Sequence, residues 1–426
     1  MRFLRSVAWA IGALWVALGA HAQSPESDLT PESAHRALDS SAFVIPDVSD
    51  KTLDATRIDP EHKRFSVKFG LVMLADYTSF RQDAASVAQV GEQLDKFEAR
   101  SIRLMARGHF ELLRDWNYMV SYEYNGFDRD DDRTNDWAAT DFRISTDLGG
   151  PLGTLTLGKM KEPHVYEMAG DAANLPHHER LLSPFFRSRN VGVQLSNDIL
   201  DKRATWSVGW YNDWWVTHQP FATSGNDFAA RVTALPIWEG GGANYLHLAA
   251  SVRYYSAVDN QLRYRGKPAS NVASDYVDTG KIAGDHAWHT GLEALWNVGP
   301  YSLLGEVVQA HLVTYSQGTP VLSGYYMTAS WVITGEHRPY DRTAAYARRV
   351  LPTGQWGAWE VIGRIGRVDL NDGAVQGGKM NGWWAGVNWW ATRRWKASIG
   401  YGNIDLDRAG QNGNTRTLLT RLQWIY

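Results

Sequence analysis

Apolar and polar residues alternate with a period of two from Phe65 to Tyr426, the last residue of the sequence. Successive side chains of a β-strand point to opposite faces, so this alternation predicts strands that each have one apolar face. In the first stretch, Phe65, Val67 and Phe69 alternate with smaller or polar residues. We therefore expect an all-β fold over residues 65–426.

Sixteen segments carry the alternation, and most are long enough to cross an outer membrane when tilted. An even number of antiparallel strands is typical of a closed barrel in a membrane. The predicted fold class is therefore an all-β, 16-stranded antiparallel transmembrane β-barrel. The predicted strands are 65–76, 97–109, 115–125, 137–147, 152–160, 190–198, 203–212, 227–235, 245–256, 286–297, 300–313, 321–334, 356–369, 381–391, 394–405 and 416–426.

A soluble β-sandwich is the alternative, since its strands also alternate, with the apolar face inward. The sequence contains 20 Trp, 19 Tyr and 13 Phe, many of them at predicted strand ends. Aromatic girdles at both membrane interfaces use such residues, so the composition favours the membrane barrel. Leu422, Trp424 and Tyr426 share one face of the final strand, which resembles the assembly signal of outer-membrane barrels.

The lengths of the connecting segments predict the orientation of the barrel, because short turns lie on the periplasmic side and long loops outside. The short connectors and both barrel ends fall on one side, and the long connectors 161–189 and 257–285 fall on the other. Segment 335–355 is long yet falls with the short turns. It is either a periplasmic extension or a sign that the strand count is wrong there. Counting 262–267 as a strand would give 17 strands and would move every later short turn to the other side of the barrel. We therefore place this segment in an external loop.

The first residues predict export. Arg2 and Arg5 precede a short apolar run, and Ala20-His-Ala22 has the pattern of a signal-peptide cleavage site. A membrane anchor is the alternative, but a spanning helix needs about 20 apolar residues. We predict a signal peptide at 1–22, cleaved near Ala22, and a loosely ordered periplasmic segment at 23–64. Localisation in the outer membrane of a Gram-negative cell follows.

Parity within the predicted strands assigns nine cations and seven acids to the barrel interior, although the net charge of the chain is −3. A lipid-facing charge costs about 2–4 kcal/mol at the midplane, so solvation alone accounts for the inward placement. A wall of paired charges is therefore the simplest interpretation. The cations are Lys68, Arg103, Arg107, Arg143, Arg231, Arg253, Arg364, Lys396 and Arg421.

The two long external loops add further cations. In the second loop Arg263, Arg265 and Lys267 recur at every second residue, so an extended backbone places them on one face, about 6–7 Å apart. Such a row can pass an anion along a channel, and the arginine fork suits phosphate oxygens. For any one of these arginines, an ion pair that packs the loop is the alternative. The cations of the first loop and its approach are Lys159, Lys161, Arg180, Arg187 and Arg189.

Two clusters have the composition of metal sites. Asp128, Asp130 and Asp132 begin with the spacing of a calcium loop, but Arg133 and Ala139 stand where that loop requires Gly and Glu. His177-His-Glu179 has no partnered ligands in its segment. We expect no metal and no cofactor. We also expect no enzymatic activity, because no G-x-S-x-G motif is present.

Several sequence blocks over residues 65–426 resemble the phosphate-selective porin O and P family. Gly158-Lys-Met-Lys-Glu-Pro163 resembles its Gly-x-x-Lys-Glu-Pro block, and Leu262–Lys267 resembles its arginine-ladder loop. The most distinctive match joins Ser323-Gly-Tyr-Tyr326 with Thr334-Gly-Glu-His-Arg-Pro-Tyr340. The resemblance implies a homotrimer of 16-stranded barrels in which external loops fold inward.

By this resemblance, the anion pathway follows a ladder of cations and reaches a constriction at Lys161. The expected ladder is Arg253, Arg263, Arg265 and Lys267. The expected constriction is Lys159, Lys161, Arg180, Arg187 and Arg189, and the expected lumen wall is Lys68, Arg103, Arg107 and Arg143.

The expected function is a passive channel for phosphate or related inorganic anions, in contact with outer-membrane lipid. The mild acidity of the chain argues against a nucleic-acid partner. The alternatives are a general, weakly selective porin, an outer-membrane barrel enzyme and a soluble periplasmic protein.

Overall fold

The structure, a computed structural model, describes residues 64–126, 136–217, 221 and 224–426. The predicted signal peptide at 1–22, all of the predicted segment 23–64 except its last residue, and the acidic run Asp128–Asp132 lie outside the described residues. Among the residues that are described, the helices are too short or too polar to cross a membrane.

Sixteen long antiparallel strands form the fold, as the alternation predicts. Each pairs with its neighbours along the chain. They are β1 Lys68–Gln82, β2 Lys96–Leu112, β3 Arg114–Tyr124, β4 Trp137–Gly149, β5 Gly153–Met160, β6 Asn190–Ile199, β7 Ala204–Asn212, β8 Asn226–Glu239, β9 Asn244–Ser256, β10 Ile282–Val298, β11 Tyr301–Thr314, β12 Val321–Val332, β13 Ala358–Asp372, β14 Val375–Trp390, β15 Trp395–Arg408 and β16 Gln411–Ile425.

Short elements occupy the connectors. Among the described residues, the α-helices are α1 Ala84–Val90, α2 Tyr166–Ala169 and α3 Trp214–Thr217. Arg265–Gly266 pairs with Val277–Asp278, Gln261–Leu262 pairs with the start of β10, and Tyr340–Asp341 pairs with Tyr346–Ala347. These two-residue pairings keep parts of two connectors extended.

The barrel closes because β1 pairs with β16 in a continuous register from Val72↔Ile425 to Gln82↔Thr415. The last residue completes the seam, since Leu71 and Tyr426 exchange backbone hydrogen bonds of 2.9 and 2.8 Å. Lipid offers no hydrogen-bond partners, so a sheet can cross a membrane only when it has no open edge.

Exposure is inverted relative to a soluble protein. Outward apolar side chains such as Leu292 and Leu422 are 61% and 51% exposed, whereas the inward charged residues Asp76 and Arg421 are 1% and 4% exposed. An apolar outer band around a charged interior is the arrangement that lipid requires. The soluble sandwich, with its apolar face inside, is therefore excluded.

Aromatic pairs lie on the outer face at the end of the barrel that carries the short turns. Trp359 stacks on Trp389 with ring centroids 5.7 Å apart, and Tyr301 stacks on Trp331 at 5.9 Å. Tyrosine and tryptophan are enriched at membrane interfaces, where one part of the ring system is apolar and the other is wet. These pairs therefore mark one boundary of the membrane band.

The connectors group at the two ends of the barrel as predicted. Connector 333–357 lies at the same end as the short turns 113, 150–152 and 391–394, so the long segment 335–355 is a true extension at that end and the strand count is correct. At the opposite end two connectors are shorter than the length rule predicts. Both are two-residue hairpin turns with positive φ, as at Ala409 and Gly410.

The outward position of Leu292, near the middle of β10, generates a stability prediction. Replacing Leu292 by Arg places a charge in lipid and should lower the free energy of unfolding by about 2–4 kcal/mol. The measurement is denaturant unfolding of the barrel in lipid vesicles. Leu292→Ala is the control, because it removes the side chain without adding a charge. Equal losses for the two variants would contradict the lipid-facing assignment.

Candidate permeation pathway

The loop that follows β5, residues 161–189 and here called the constriction loop, crosses the interior of the barrel. The Tyr166 amide donates to Glu306 of β11 at 2.5 Å. Asn388 of β14 donates to the Pro176 carbonyl at 2.8 Å. Gln423 of β16 donates to the Ala173 carbonyl at 3.0 Å. A loop that leaves β5 and contacts β11, β14 and β16 must span the lumen.

Two buried acids hold the constriction loop to the wall. Glu167 pairs with Arg364 of β13, lies 3.2 Å from His177 and accepts the Leu182 amide at 2.9 Å. Burial alone would raise the pKa of Glu167, but Arg364 and His177 outweigh it and lower this pKa to about 2. The acid is therefore ionised at neutral pH and paired with Arg364.

Glu179 is the second acid of this attachment. It accepts hydrogen bonds from Arg100 of β2 at 2.7 and 3.0 Å and from Arg421 of β16 at 2.7 Å. Arg100 was not predicted to face inward, because the parity of β2 points it outward. A β-bulge near Ala99, opposite Leu74 and Ala75, shifts the register and turns it into the barrel.

The loop between β9 and β10, residues 257–281 and here called the ladder loop, also enters the lumen. The Tyr264 hydroxyl lies 3.0 Å from a ring nitrogen of His289 on β10. Across the barrel, Asn271 donates to Glu98 of β2 at 2.8 Å, and Tyr276 donates to Thr415 of β16 at 3.0 Å. Both long external loops are therefore inside the barrel.

The row of Arg263, Arg265 and Lys267 lies on one face of the ladder loop. The intervening residues Leu262 and Tyr264 are buried against the wall, while the exposed fraction of the side chain is 42% at Arg263 and 31% at Arg265. The extended pairing of Arg265–Gly266 with Val277–Asp278 sets this alternation.

Each cation of the row has a partner within the same loop. Arg263 donates two hydrogen bonds to Asp278, at 2.9 and 2.6 Å. Arg265 lies 3.7 Å from Asp275. Lys267 donates to the Asn271 carbonyl at 2.7 Å. The row therefore carries positive charge that is partly compensated by nearby acids.

A second group of charges surrounds Lys161 at the base of the constriction loop. Lys161 Nζ donates to Asp171 at 2.9 Å and to the Gly170 carbonyl at 3.2 Å. Arg103 of β2 lies 2.7 Å from Glu123 and 3.9 Å from Asp171. This part of the lumen thus interleaves cations with acids.

Asp141 of β4 extends this group along the wall. Arg189 donates to Asp141 at 3.0 Å, and Arg143 lies 3.9 Å from the same carboxylate. Arg143 retains 27% of its side chain exposed, whereas Arg189 retains 2%. Arg143 is therefore the more accessible of the two to a passing ion.

The environment of Lys161 changes its titration. Burial lowers the pKa of Lys161, Asp171 opposes that effect, and the result is a pKa of about 8. Arg180 is also buried, and burial lowers its pKa to about 10. The pKa of Lys161 is therefore close to neutral pH.

The connector between β12 and β13, residues 333–357 and here called the periplasmic connector after its predicted side, enters the barrel from the other end. Arg338 pairs with Glu360 of β13 and donates to the Asn174 carbonyl at 3.0 Å. The Ala347 amide donates to the Tyr166 hydroxyl at 2.9 Å. The connector therefore meets the constriction loop inside the lumen.

Two arginines of this connector, Arg348 and Arg349, were missed in the sequence analysis. Arg348 pairs with Asp341, and Arg349 donates to the Arg393 carbonyl at 3.0 Å. The sequence does contain an indication of their role, because this Arg-Arg pair lies in segment 335–355, which is longer than the other connectors at its end of the barrel. Its inward path depends on contacts distant in sequence, which the local pattern does not reveal.

Lys159 does not lie at the constriction. In the register of β5 it stands opposite Phe142 and Val191, and Phe142 belongs to the outward face. Lys159 Nζ donates to the Ala139 carbonyl at 2.7 Å and lies 5.9 Å from the centre of the Trp215 ring. The prediction placed Lys159 with Lys161, but β5 ends at Met160, so Lys161 belongs to the loop inside the barrel while Lys159 stays on the outward face of the wall.

Arg253 is a wall residue and not a rung of the row. Its guanidinium pairs with Glu162 and lies 2.6 Å from Asp227, and the residue is 3% exposed. Two acids on one buried cation leave no excess positive charge to attract an anion. The inward parity predicted for Arg253 is correct, but its place in the ladder is not.

The remaining predicted cations divide between the Lys161 group and other parts of the barrel. Arg180 is 8% exposed and donates to the Gly170 carbonyl at 3.3 Å, the same carbonyl that Lys161 contacts. Arg187 donates to the Tyr255 hydroxyl at 2.9 Å. Lys68 is exposed at the start of β1 and stands opposite the half-buried Arg107 of β2. The structure therefore brings together Lys161, Arg103, Arg143, Arg180 and Arg189, but not the full predicted set.

The histidines of the constriction loop are buried. His177 lies 3.2 Å from Glu167, and the His178 ring lies 2.9 Å from the Ser398 hydroxyl. Burial lowers the pKa of His177 to about 4 and that of His178 well below its ordinary value. Within the part of the chain that is described, no group of three or more His, Asp or Glu could hold a metal ion.

A closed 16-stranded barrel with an apolar outer band, aromatic pairs at its rim and loops folded into a charged lumen defines an outer-membrane porin. The chain belongs to the phosphate-selective porin O and P family, whose model matches residues 67–426.

The chain is similar to known proteins in sequence and to solved structures in fold. The chain is 24% identical to Porin O of Pseudomonas aeruginosa, over 89% of this chain and 93% of that protein. It is 31% identical to an uncharacterized protein of Caulobacter vibrioides, over 39% of this chain and 36% of that one. The fold is similar to an anion-selective porin from Comamonas acidovorans, with a TM-score of 0.52 and 14% identity over 85% of this chain and 100% of that chain.

The pKa of Lys161 predicts a pH-dependent selectivity. Lysine loses its charge above its pKa, so the permeability of the channel to anions relative to cations should fall as the pH rises through about 8. The measurement is the reversal potential in a KCl gradient across a planar bilayer between pH 7 and pH 9. The reversal potential of the Lys161→Arg variant should remain constant over this range, because arginine does not titrate there. A wild-type potential independent of pH would contradict the assignment.

The Glu167–Arg364 pair predicts the cost of detaching the constriction loop. Glu167→Ala leaves Arg364 buried without this acid and should lower the free energy of unfolding by about 3–5 kcal/mol. The double variant Glu167→Met with Arg364→Met removes both charges and should lose less of the free energy of unfolding. Denaturant unfolding in vesicles measures both. An equal or larger loss in the double variant would show that the charge pair does not hold the loop.

Proposed function

We propose that this porin is a passive channel that prefers small anions, with phosphate-type oxyanions as its favoured substrates. The observation that carries the proposal is the row of Arg263, Arg265 and Lys267 on one face of a loop inside the lumen. The Comamonas neighbour is described as an anion-selective porin, and the family is described as phosphate-selective, so both support the same class of substrate.

The chemistry of the row suits oxyanions. The guanidinium group presents two parallel donors that match two oxygens of a phosphate, and it stays charged at every physiological pH. Conduction requires sites that attract the ion and also release it, and several weak sites in series meet both needs. A narrow channel with low-dielectric walls also focuses the field of its charges.

A general, weakly selective porin is the second candidate, and a specific observation favours it. The cations that face the pathway have acidic neighbours: Asp278 beside Arg263, Asp171 beside Lys161 and Asp141 beside Arg143. Each acid reduces the net field along the path. The two candidates differ in degree of selectivity and not in kind.

The wider assignment completes the proposal. We infer that the chain is exported with cleavage near Ala22, sits in the outer membrane, assembles as a homotrimer and catalyses no reaction. One neighbour of similar fold, in-vitro folded OmpT of Vibrio cholerae, is described as a trimer. Its TM-score is 0.53 at 10% identity, over 84% of this chain and 99% of that chain.

The selectivity prediction is tested by the reversal potential of single channels in a KCl gradient at pH 7. The interior row attracts anions and repels cations, so the potential should have the sign of chloride preference. Added inorganic phosphate should block the chloride current at lower concentration than added sulfate if phosphate is favoured. Cation preference would overturn the proposal. Equal block by both anions would favour the weakly selective candidate.

The row itself is tested by replacing Arg263, Arg265 and Lys267 together with Ala. Half-block of the chloride current should then require about tenfold more phosphate, since charge-assisted hydrogen bonds are lost. Arg367→Ala is the matched control, because Arg367 lies on the outer face of β13 and pairs with Asp369. An unchanged block in the triple variant would remove the row from the pathway.

A further inference from the structure

Asp171 lies where the constriction loop, β2 and the periplasmic connector meet. One carboxylate oxygen, Oδ1, accepts a hydrogen bond from Lys161 at 2.9 Å and lies 3.9 Å from Arg103. The other oxygen, Oδ2, accepts a hydrogen bond from the Tyr346 hydroxyl at 3.3 Å. The side chain of Asp171 is 5% exposed. A single acid is thus held between two cations of the pathway and a tyrosine of the connector.

Tyr346 is itself fixed in place. It belongs to the short antiparallel pairing of Tyr340–Asp341 with Tyr346–Ala347. The Arg348 guanidinium lies 4.5 Å from the centre of the Tyr346 ring and pairs with Asp341. The next residue, Ala347, donates its amide to Tyr166 of the constriction loop at 2.9 Å. The connector and the loop therefore hold Asp171 from two directions.

The position of this carboxylate has a chemical meaning. A carboxylate and a phosphate are both oxyanions, and both accept charge-assisted hydrogen bonds from lysine and arginine. Lys161 gives such a bond to Asp171, Arg103 lies 3.9 Å from the same carboxylate, and both cations can also attract an ion in transit. Burial raises the pKa of Asp171, but Lys161 and Arg103 outweigh that effect and lower it, so the carboxylate is charged.

We propose that Asp171 is a specificity-determining residue that competes with passing anions for Lys161 and Arg103, and that Tyr346 of the periplasmic connector sets how firmly it competes. The inference rests on the proposed function, because it assumes that anions pass this point. An anion that enters must displace the carboxylate, and the carboxylate returns when the anion leaves. Binding is therefore weakened and release is favoured.

The test replaces Asp171 by Asn, which keeps the shape of the side chain and removes its charge. Half-block of the single-channel chloride current by inorganic phosphate should then occur at about tenfold lower concentration, because the internal competitor is lost. Asp171→Glu retains a competing carboxylate and should stay close to the wild-type value. Heat-dependent gel mobility of the folded barrel checks that each variant assembles.

Asp278→Asn is the matched control for a general effect of charge. It adds the same unit of positive charge to the lumen, but at the pair with Arg263 in the ladder loop. If Asp171→Asn and Asp278→Asn tighten the block equally, the effect is one of net charge and the proposal fails. The proposal also fails if Asp171→Asn weakens the block, since Asp171 would then position Lys161 for anions and not compete with them.

Tyr346→Phe tests the part played by the connector. It removes the hydroxyl that holds Oδ2 and that accepts a hydrogen bond from Arg348, and it leaves the ring beneath Arg348, so it should tighten the phosphate block by less than Asp171→Asn does. No change in the block would remove the connector from the proposal. A wild-type channel that prefers cations would instead overturn the proposed function. The role of Asp171 would then be tested by comparing the shift of the reversal potential in Asp171→Asn with the shift in Asp278→Asn.

Discussion

The closed hydrogen bonding of the wall is the constraint on which the rest of the structure depends. Within lipid no water is available to backbone amides and carbonyls, so each strand must be paired along both edges. β1 and β16 meet this requirement down to the last residue, where Leu71 and Tyr426 exchange two hydrogen bonds. Once the wall is closed, each strand side chain faces either lipid or lumen. The inward charges then need partners, and the loops supply many of them.

The position of the constriction loop follows from this need for partners. Arg364 and Arg421 are fixed to the wall, and Glu167 and Glu179 of the loop meet them. A buried ion pair adds little net stability, because desolvation offsets the attraction, but a buried charge without a partner is costly. We infer that these pairs act mainly by excluding other positions of the loop.

Alternation predicted the strands, their number and the inward parity of most wall charges, because lipid acts on every residue of the wall in the same way. Asp76 and Arg421, both assigned inward, form a pair of hydrogen bonds across the β1–β16 seam. The misses have separate physical causes. A β-bulge turned Arg100 inward, and the register of β5 placed Lys159 on the other face. The inward path of Arg348 depends on tertiary contacts that leave no periodic signal.

The cations of the two loops differ in how firmly each one is paired with an acid. The side chain of Arg263 is 42% exposed beside Asp278, so water and salt weaken that pair and a passing anion can share the cation. The side chain of Lys161 is 20% exposed and that of Asp171 is 5% exposed, so their attraction is stronger at the same charge. In the proposed anion channel, an ion would therefore meet loosely held cations at the ladder loop and a firmly held one at Lys161. We infer that selectivity among anions would be decided where displacement of the internal acid is hardest, which is at Lys161.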